Sequence, residues 1–149
     1  MSSLTLKKNH PFDVSYLRQL SISQEDLRLV RPDASFPIKD EEWTSLFAKE
    51  TYVSFLVYSN DELIGHFGLV ENPERRYCIV FVYLSPTHRS GGLAFELMKR
   101  AEEYARHEFG ANEIFLNVQE SNPRAIALYK KCGFTEVFQK GTTIRMEKK

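Results

Sequence analysis

The sequence has few cysteines and no long apolar segment. Its two cysteines, Cys78 and Cys132, are too few for the disulfide framework of a small secreted domain, and their apolar contexts are typical of reduced core residues. No run approaches the roughly 18 uninterrupted apolar residues of a membrane-spanning helix, and the N-terminal MSSLTLKK lacks a signal-peptide run. We therefore expect a cytoplasmic protein without a membrane partner.

An excess of charge of one sign is also absent, because 20 Lys and Arg residues balance 20 Asp and Glu residues. This balance provides no overall field toward nucleic acid, so no nucleic-acid partner is expected. Seven glycines and six prolines are too few for a collagen-like or low-complexity chain. The four histidines show no metal-ligand spacing, and no metal site is predicted. We expect residues 1–149 to form one domain, as a monomer or homodimer.

Hydrophobic periodicity divides the chain into strands and helices. Apolar residues at helical spacing fall near residues 14–30 and 40–49, and β-rich runs follow. The strands are predicted at 51–58, 63–70, 77–84, 114–118, 135–139 and 142–146, and the later helices at 93–109 and 123–132. A strand, a long helix and a strand predict that 77–84 and 114–118 are parallel, with a right-handed crossover. The expected fold is therefore mixed α/β, with one mostly antiparallel sheet and helices on both faces.

The most informative stretch is LSPTHRSGGLA, over residues 84–94, where a buried strand is predicted to end and a helix to begin. Gly91 and Gly92 permit close approach of a ligand to the main chain. The first-turn amides of the helix have no acceptor within it, and they lie at the positive end of its dipole. This predicts an anion site, most naturally for phosphate. The alternative is a plain strand-to-helix turn, since two glycines alone are weak evidence for a ligand site. The competing motifs G-x-x-x-x-G-K-S/T, G-x-G-x-x-G and G-x-S-x-G are absent.

Two blocks together resemble the GNAT superfamily of acyl-CoA-dependent N-acyltransferases. Arg89, Gly92 and Ala94 match its pyrophosphate-loop pattern, Q/R-x-x-G-x-G/A. Residues 116–134 read LNVQESNPRAIALYKKCGF and match every specified position of L-x-V-x-x-x-N-x-x-A-x-x-L-Y-x-x-x-G-F. The resemblance implies a sheet whose parallel strand pair splays apart, and an N-acetyltransferase that uses acetyl-CoA. The acceptor would be a small-molecule or peptide amine.

The same resemblance assigns roles to individual residues. Acetyl-CoA would lie between the splayed strands, with its pantetheine arm along the main chain near Tyr83 and Leu84, where an amide would polarise the thioester carbonyl. Arg89 would add charge, or would be a solvated surface arginine. The pyrophosphate would bind the amides of the loop and of the first helical turn, which are those of Ser90, Gly91, Gly92, Leu93 and Ala94.

Asn122 and Tyr129 belong to the second block. Asn122 precedes a proline, so it is predicted to cap the following helix and, by the resemblance, also to contact the pantetheine. Tyr129 would donate a proton to the departing thiolate; its alternative role is as a core residue. The catalytic assignment rests on Tyr129 alone.

The general base is not assigned by the sequence. Two subfamilies place a glutamate where this chain has Asn117 or Cys78, and neither residue replaces it. The remaining candidates are Glu120, Glu71 and Tyr83. The missing bases keep open an alternative function, a non-catalytic acyl-CoA-binding sensor or interaction module.

Acceptor specificity in the family lies in segments that correspond here to residues 31–39 and 140–143. Four carboxylates make the first region and the start of the helix after it acidic, which would suit a cationic amine or would simply mark the surface of a helix N-terminus. These carboxylates belong to Asp33, Asp40, Glu41 and Glu42.

Overall fold

The computed structural model describes residues 4–149, which form a seven-stranded sheet with five α-helices. The strands are β1 (Leu4–Lys8), β2 (Tyr52–Ser59), β3 (Glu62–Asn72), β4 (Arg76–Leu84), β5 (Glu113–Gln119), β6 (Thr135–Lys140) and β7 (Thr143–Lys148). The helices are α1 (Ser15–Gln19), α2 (Gln24–Val30), α3 (Asp40–Phe47), α4 (Leu93–Glu108) and α5 (Pro123–Lys131).

The strands are ordered β1-β2-β3-β4-β5-β7-β6. Neighbouring strands are antiparallel, except for β4 and β5, which are parallel and joined through α4. This confirms the mixed sheet expected from the strand–helix–strand order. Edge strand β1 is absent from the sequence-based prediction. Its pairing partner is β2, more than 40 residues further along the chain, so no local hairpin signal marks LTLKK as a strand.

Helices cover both faces of the sheet, as predicted. On one face, α4 buries Leu97, Met98 and Ala101 in a core that includes Phe55 and Ile114. This follows from its apolar residues, which recur every three or four positions. On the other face, a second cluster joins the first three helices to the sheet; its buried members are Leu17, Leu20, Ile22, Leu27, Trp43, Phe47 and Tyr83. No helix among residues 4–149 has the length and apolar character to cross a membrane.

The parallel strands stay together over only a short distance. Pairing between β4 and β5 runs from Arg76 opposite Glu113 to Cys78 opposite Phe115. Beyond those residues the strands continue to Leu84 and Gln119 without pairing to each other. The splayed pair implied by the family resemblance is thus present.

A β-bulge interrupts β4 where the strands part. His66 of β3 faces Tyr83 and Gly68 faces Val80, so two residues of β4 lie opposite Phe67. The extra residue is Phe81, whose φ of +51° is left-handed. A bulge bends its strand and increases the local twist. The bend therefore coincides with the divergence of β4 from β5.

Three buried polar side chains support this bulge. His66 Nδ1 lies 3.2 Å from the carbonyl oxygen of Phe81, and its Nε2 lies 2.8 Å from Ser54 Oγ. Because a carbonyl only accepts, Nδ1 donates to Phe81 and Nε2 accepts from the Ser54 hydroxyl. Asn9 Nδ2 donates in turn to Ser54 Oγ over 3.4 Å. These hydrogen bonds fix His66 as a neutral imidazole that carries its proton on Nδ1.

We predict that acidification destabilises the protein through His66. Burial lowers the pKa of His66 from 6.5 to about 4, so the unfolded chain binds a proton in this range that the native protein does not. The free energy of unfolding should therefore fall by about 3 kcal/mol as the pH drops through this interval. Urea unfolding between pH 7 and pH 4.5 measures the loss.

The His66→Phe variant tests the origin of this effect, because it retains an aromatic ring without a titrating group. Its stability should depend less on pH than that of the wild type, even though it is less stable at pH 7. The matched control is His107→Gln, which changes an exposed histidine of α4 and should keep the wild-type pH dependence. Equal slopes for His66→Phe and the wild type would contradict the prediction.

Candidate active site

A cavity of about 190 Å³ lies between the diverging ends of β4 and β5. Its walls combine three regions of the chain that are distant in sequence. Residues 79–82 come from β4, residues 117–119 from β5, and residues 29–33 from the end of α2 and the segment after it. Asn122 and Tyr129 complete the lining. The splay of the sheet is therefore what creates this space.

The glycine loop follows directly from the end of β4. After a 3₁₀ turn over Pro86–His88, Gly91 and Gly92 have φ values of +82° and +85° and lead into α4. A Cβ atom placed on either glycine would meet no atom within 4 Å. Backbone conformation rather than packing therefore requires glycine here, and the surface above the loop is open. The predicted turn is confirmed, and its geometry fits a ligand that approaches the main chain closely.

A second depression, of about 360 Å³, lies beside this loop and is lined by Pro86, Arg89, Ser90 and Arg124. The first-turn amides of α4, including those of Leu93 and Ala94, have no acceptor within the helix. Arg124 and a helix N-terminus thus provide positive potential around Ser90. Such an arrangement suits the phosphate groups of a nucleotide.

Arg89 is not the solvated surface arginine that the sequence left as an alternative. Its Nη2 lies 2.8 Å from Asp26 Oδ2, and its Nε donates to the carbonyl of Leu84 over 2.8 Å. The guanidinium also lies 5.6 Å from the centre of the Tyr83 ring. Because Asp26 lies in the first turn of α2, these contacts tie the glycine loop to that helix. The Leu84 carbonyl keeps a second lone pair for another donor.

Tyr129 lies in α5 with only 8% of its surface exposed and lines the cavity. Its ring packs edge-on against Phe134, with 6.3 Å between the ring centres. Burial raises the pKa of Tyr129 to about 12. The phenol therefore remains protonated at neutral pH, which makes it a proton donor rather than a base.

Asn122 caps α5, as predicted. Its Oδ1 accepts a hydrogen bond of 3.3 Å from the amide of Ala125, and Pro123 occupies the first helical position. Asn122 also borders the cavity, so capping leaves it in a position to face a ligand. Its contact with pantetheine remains a prediction.

The three candidates for a general base lie outside the cavity lining. Glu71 pairs with Tyr77 near the start of β4, and Glu120 is exposed and accepts a 2.6 Å hydrogen bond from Gln139. Burial raises the pKa of Tyr83, which disfavours its deprotonation.

The two positions where glutamate is missing do not supply a base either. Asn117 accepts a 2.8 Å hydrogen bond from Arg145 through Oδ1, and an amide cannot take a proton. Burial raises the pKa of the Cys78 thiol to about 12. The ionisable side chains that do line the cavity belong to Arg31, Asp33 and Tyr129.

Most carboxylates of the acidic segment are already engaged. Asp40 forms an ion pair with Arg18, and Glu42 accepts hydrogen bonds of 2.8 and 2.7 Å from the amide and hydroxyl of Ser35. These bonds hold the pKa of Glu42 below its ordinary value. Asp33 lies 3.5 Å from Arg31. The segment is thus less available to a cationic acceptor than its composition indicates.

Sequence reasoning identified the segment around Arg31 but not that residue's role in the cavity wall. No local motif marks Arg31, because its position depends on contacts with Trp43 and Phe81 from other elements. Among residues 4–149, no three His, Cys, Asp or Glu side chains are grouped as metal ligands would be.

The fold thus places the end of a parallel strand pairing beside an open glycine loop at the start of α4. The model of the Acetyltransferase (GNAT) family matches residues 17–134. The chain belongs to this family of acetyl-CoA-dependent N-acetyltransferases.

Relatives cover most of the chain. Spermidine N(1)-acetyltransferase of Vibrio cholerae is 28% identical over 139 residues, which span 91% of this chain and 80% of that protein. Streptothricin acetyltransferase of Escherichia coli is 28% identical over 133 residues, which span 88% and 74%. A crystal structure of the V. cholerae spermidine N-acetyltransferase with CoA and spermine has a TM-score of 0.77 at 26% identity, and covers 97% of this chain and 94% of that one. The non-catalytic alternative is therefore not favoured.

We predict that Asn122→Ala lowers the free energy of unfolding by about 1 kcal/mol, because it removes the side-chain acceptor at the start of α5. Asn122→Ser keeps an acceptor oxygen and should retain most of the stability. Chemical denaturation of the three proteins measures the difference. Equal stabilities for the alanine and serine variants would show that the cap contributes nothing.

Proposed function

We propose that the protein transfers the acetyl group of acetyl-CoA directly to a primary amine bound between β4 and β5. The observation that carries this proposal is the buried, protonated Tyr129 in the wall of the cavity. Two of the relatives are named for different acceptors, spermidine and streptothricin. They agree on acetyl transfer rather than on one acceptor.

The glycine loop is the proposed pyrophosphate site. Its donors would be the amides from Ser90 to Ala94, and Arg124 would supply charge from the adjacent depression. The open surface over Gly91 and Gly92 supports this assignment, because a diphosphate must approach the backbone closely.

The main chain of β4 is the proposed partner of the pantetheine arm. Tyr83 and Leu84 already pair with β3 along one edge, and the splay leaves the opposite edge of β4 unpaired with β5. An extended amide chain can pair with such an edge as an added strand. A strand amide near the Phe81 bulge would then stabilise the negative charge that develops on the thioester oxygen.

Acetyl-CoA supplies the activated acetyl group for this reaction. The neutral amine attacks the carbonyl carbon, a carbon–nitrogen bond forms, and the carbon–sulfur bond breaks. Tyr129 donates its proton to the leaving sulfur and is reprotonated from solvent. The excess proton on the new amide nitrogen passes to water. The carboxylate in the cavity lining, Asp33, is largely exposed, so the cavity has no buried carboxylate that would take this proton instead.

Tyr129→Phe should reduce kcat by about 10²- to 10³-fold, because general acid catalysis contributes on that order. Acetyl-CoA binding should persist, because phenylalanine fills the same space. A free-thiol release assay with a panel of amines measures turnover, and calorimetry measures binding. The matched control is Tyr104→Phe, in a tyrosine of α4 that packs on Phe55 away from the cavity lining. Unchanged turnover in Tyr129→Phe would remove the acid assignment.

Gly92→Val should abolish the rise in Tm that saturating acetyl-CoA produces, because the side chain would occupy the surface on which phosphate binds. Gly141→Val is a matched control, since Gly141 also has a left-handed φ, +60°, and open space within 4 Å of the position that a Cβ would take. Both variants carry a similar backbone cost of about 1–2 kcal/mol. Only Gly141→Val should retain the ligand-dependent rise, measured by differential scanning fluorimetry. A normal rise in Gly92→Val would place the coenzyme elsewhere.

A further inference from the structure

A single arginine is fixed in the wall of the cavity. Arg31 directly follows α2, and its side chain is only 12% exposed. The guanidinium lies 4.7 Å from the centre of the Trp43 ring and 5.3 Å from that of Phe81. Its Nη1 donates to the carbonyl of Glu42 over 2.9 Å. Aromatic contacts and one hydrogen bond therefore hold a positive charge beside the bulge of β4.

The remaining donors of this guanidinium lie along one edge. Nε is 3.5 Å from Asp33 Oδ1, which is longer than the roughly 2.7–2.9 Å of a charge-assisted hydrogen bond. The Asp33 side chain is 81% exposed, so solvent weakens its hold on Arg31. Nη2 has no partner among the residues that the structure describes. The Nε–Nη2 edge has the two parallel donors that bind a carboxylate.

The charges around the cavity disfavour a polycationic acceptor. Asp33 is the carboxylate in the lining, and it already lies beside Arg31. Asp40 and Glu42 are engaged with Arg18 and Ser35. A second ammonium group would therefore meet the positive charge of Arg31, whereas a carboxylate would find two donors.

We infer that the acceptor is a free amino acid, and that Arg31 binds its carboxylate while its amine faces the β4–β5 cleft. The inference rests on the proposed function, because it concerns the second substrate of the same reaction. Arg31 acts here as a specificity residue: it touches the acceptor and takes no part in bond formation. Tyr129 belongs to the same lining and, in the proposed reaction, would face the leaving thiol.

The test compares each amino acid with the amine that lacks its carboxylate, such as lysine with cadaverine and phenylalanine with phenethylamine, and includes spermidine. The quantity measured is the ratio of kcat/KM for the acid to kcat/KM for the matched amine. The wild type should prefer one or more acids. Arg31→Met should lower that ratio by about tenfold or more. Arg31→Lys keeps the positive charge but lacks the two parallel N–H donors of the guanidinium, and should lower the ratio less. Comparing ratios between variants cancels the intrinsic reactivity of each amine.

Asp33→Asn provides a test that does not depend on the folding of an Arg31 variant, since Asp33 is largely exposed. Removing the competing carboxylate should raise kcat/KM for the preferred acid. The inference is overturned if the wild type uses spermidine or cadaverine more efficiently than any acid, or if the ratio is the same in a folded Arg31→Met variant. No turnover of any amine, despite a normal Tm rise with acetyl-CoA, would overturn the proposed function and the inference with it.

Discussion

The parallel contact between β4 and β5 stops at Cys78 and Phe115, and the active site depends on that early stop. A sheet that remained paired to its ends would leave neither a cavity nor a free strand edge. The bulge at Phe81 bends β4 at the place where the strands part. Its carbonyl accepts a hydrogen bond from His66, which lies outside the cavity lining. The shape of the cleft thus depends on buried polar side chains from β2 and β3, next to β4.

The order of elements could be predicted from the sequence because each signal is local. The long apolar run of β4, the helical period of α4 and the paired glycines all act within a few residues. The cap by Asn122 belongs to the same class, since Asn before Pro at a helix start needs no distant partner. Strand β1 was not predicted because it pairs with the distant β2 and has no hairpin turn beside it.

Residues whose roles depend on distant contacts could not be predicted in the same way. Phenylalanine is a good strand former, so nothing in the local sequence marks Phe81 as a bulge. His66 becomes informative only once Ser54 and the Phe81 carbonyl lie on either side of its ring. Arg31 gains its place from Trp43 and Phe81, which lie 12 and 50 positions further along the chain. Sequence reasoning found a segment that borders the cavity, but the contacts that place Arg31 in its wall form only in the folded chain.

Helix α2 touches both halves of the cleft. Its first turn holds Asp26, which contacts the glycine loop through Arg89, and the helix ends against Arg31 in the opposite wall. With seven residues it is about 10 Å long, short enough to shift as one rigid rod. A displacement of the glycine loop would therefore also move the cavity wall at Arg31. By linkage, whatever the coenzyme does to acceptor affinity, the acceptor does equally to coenzyme affinity.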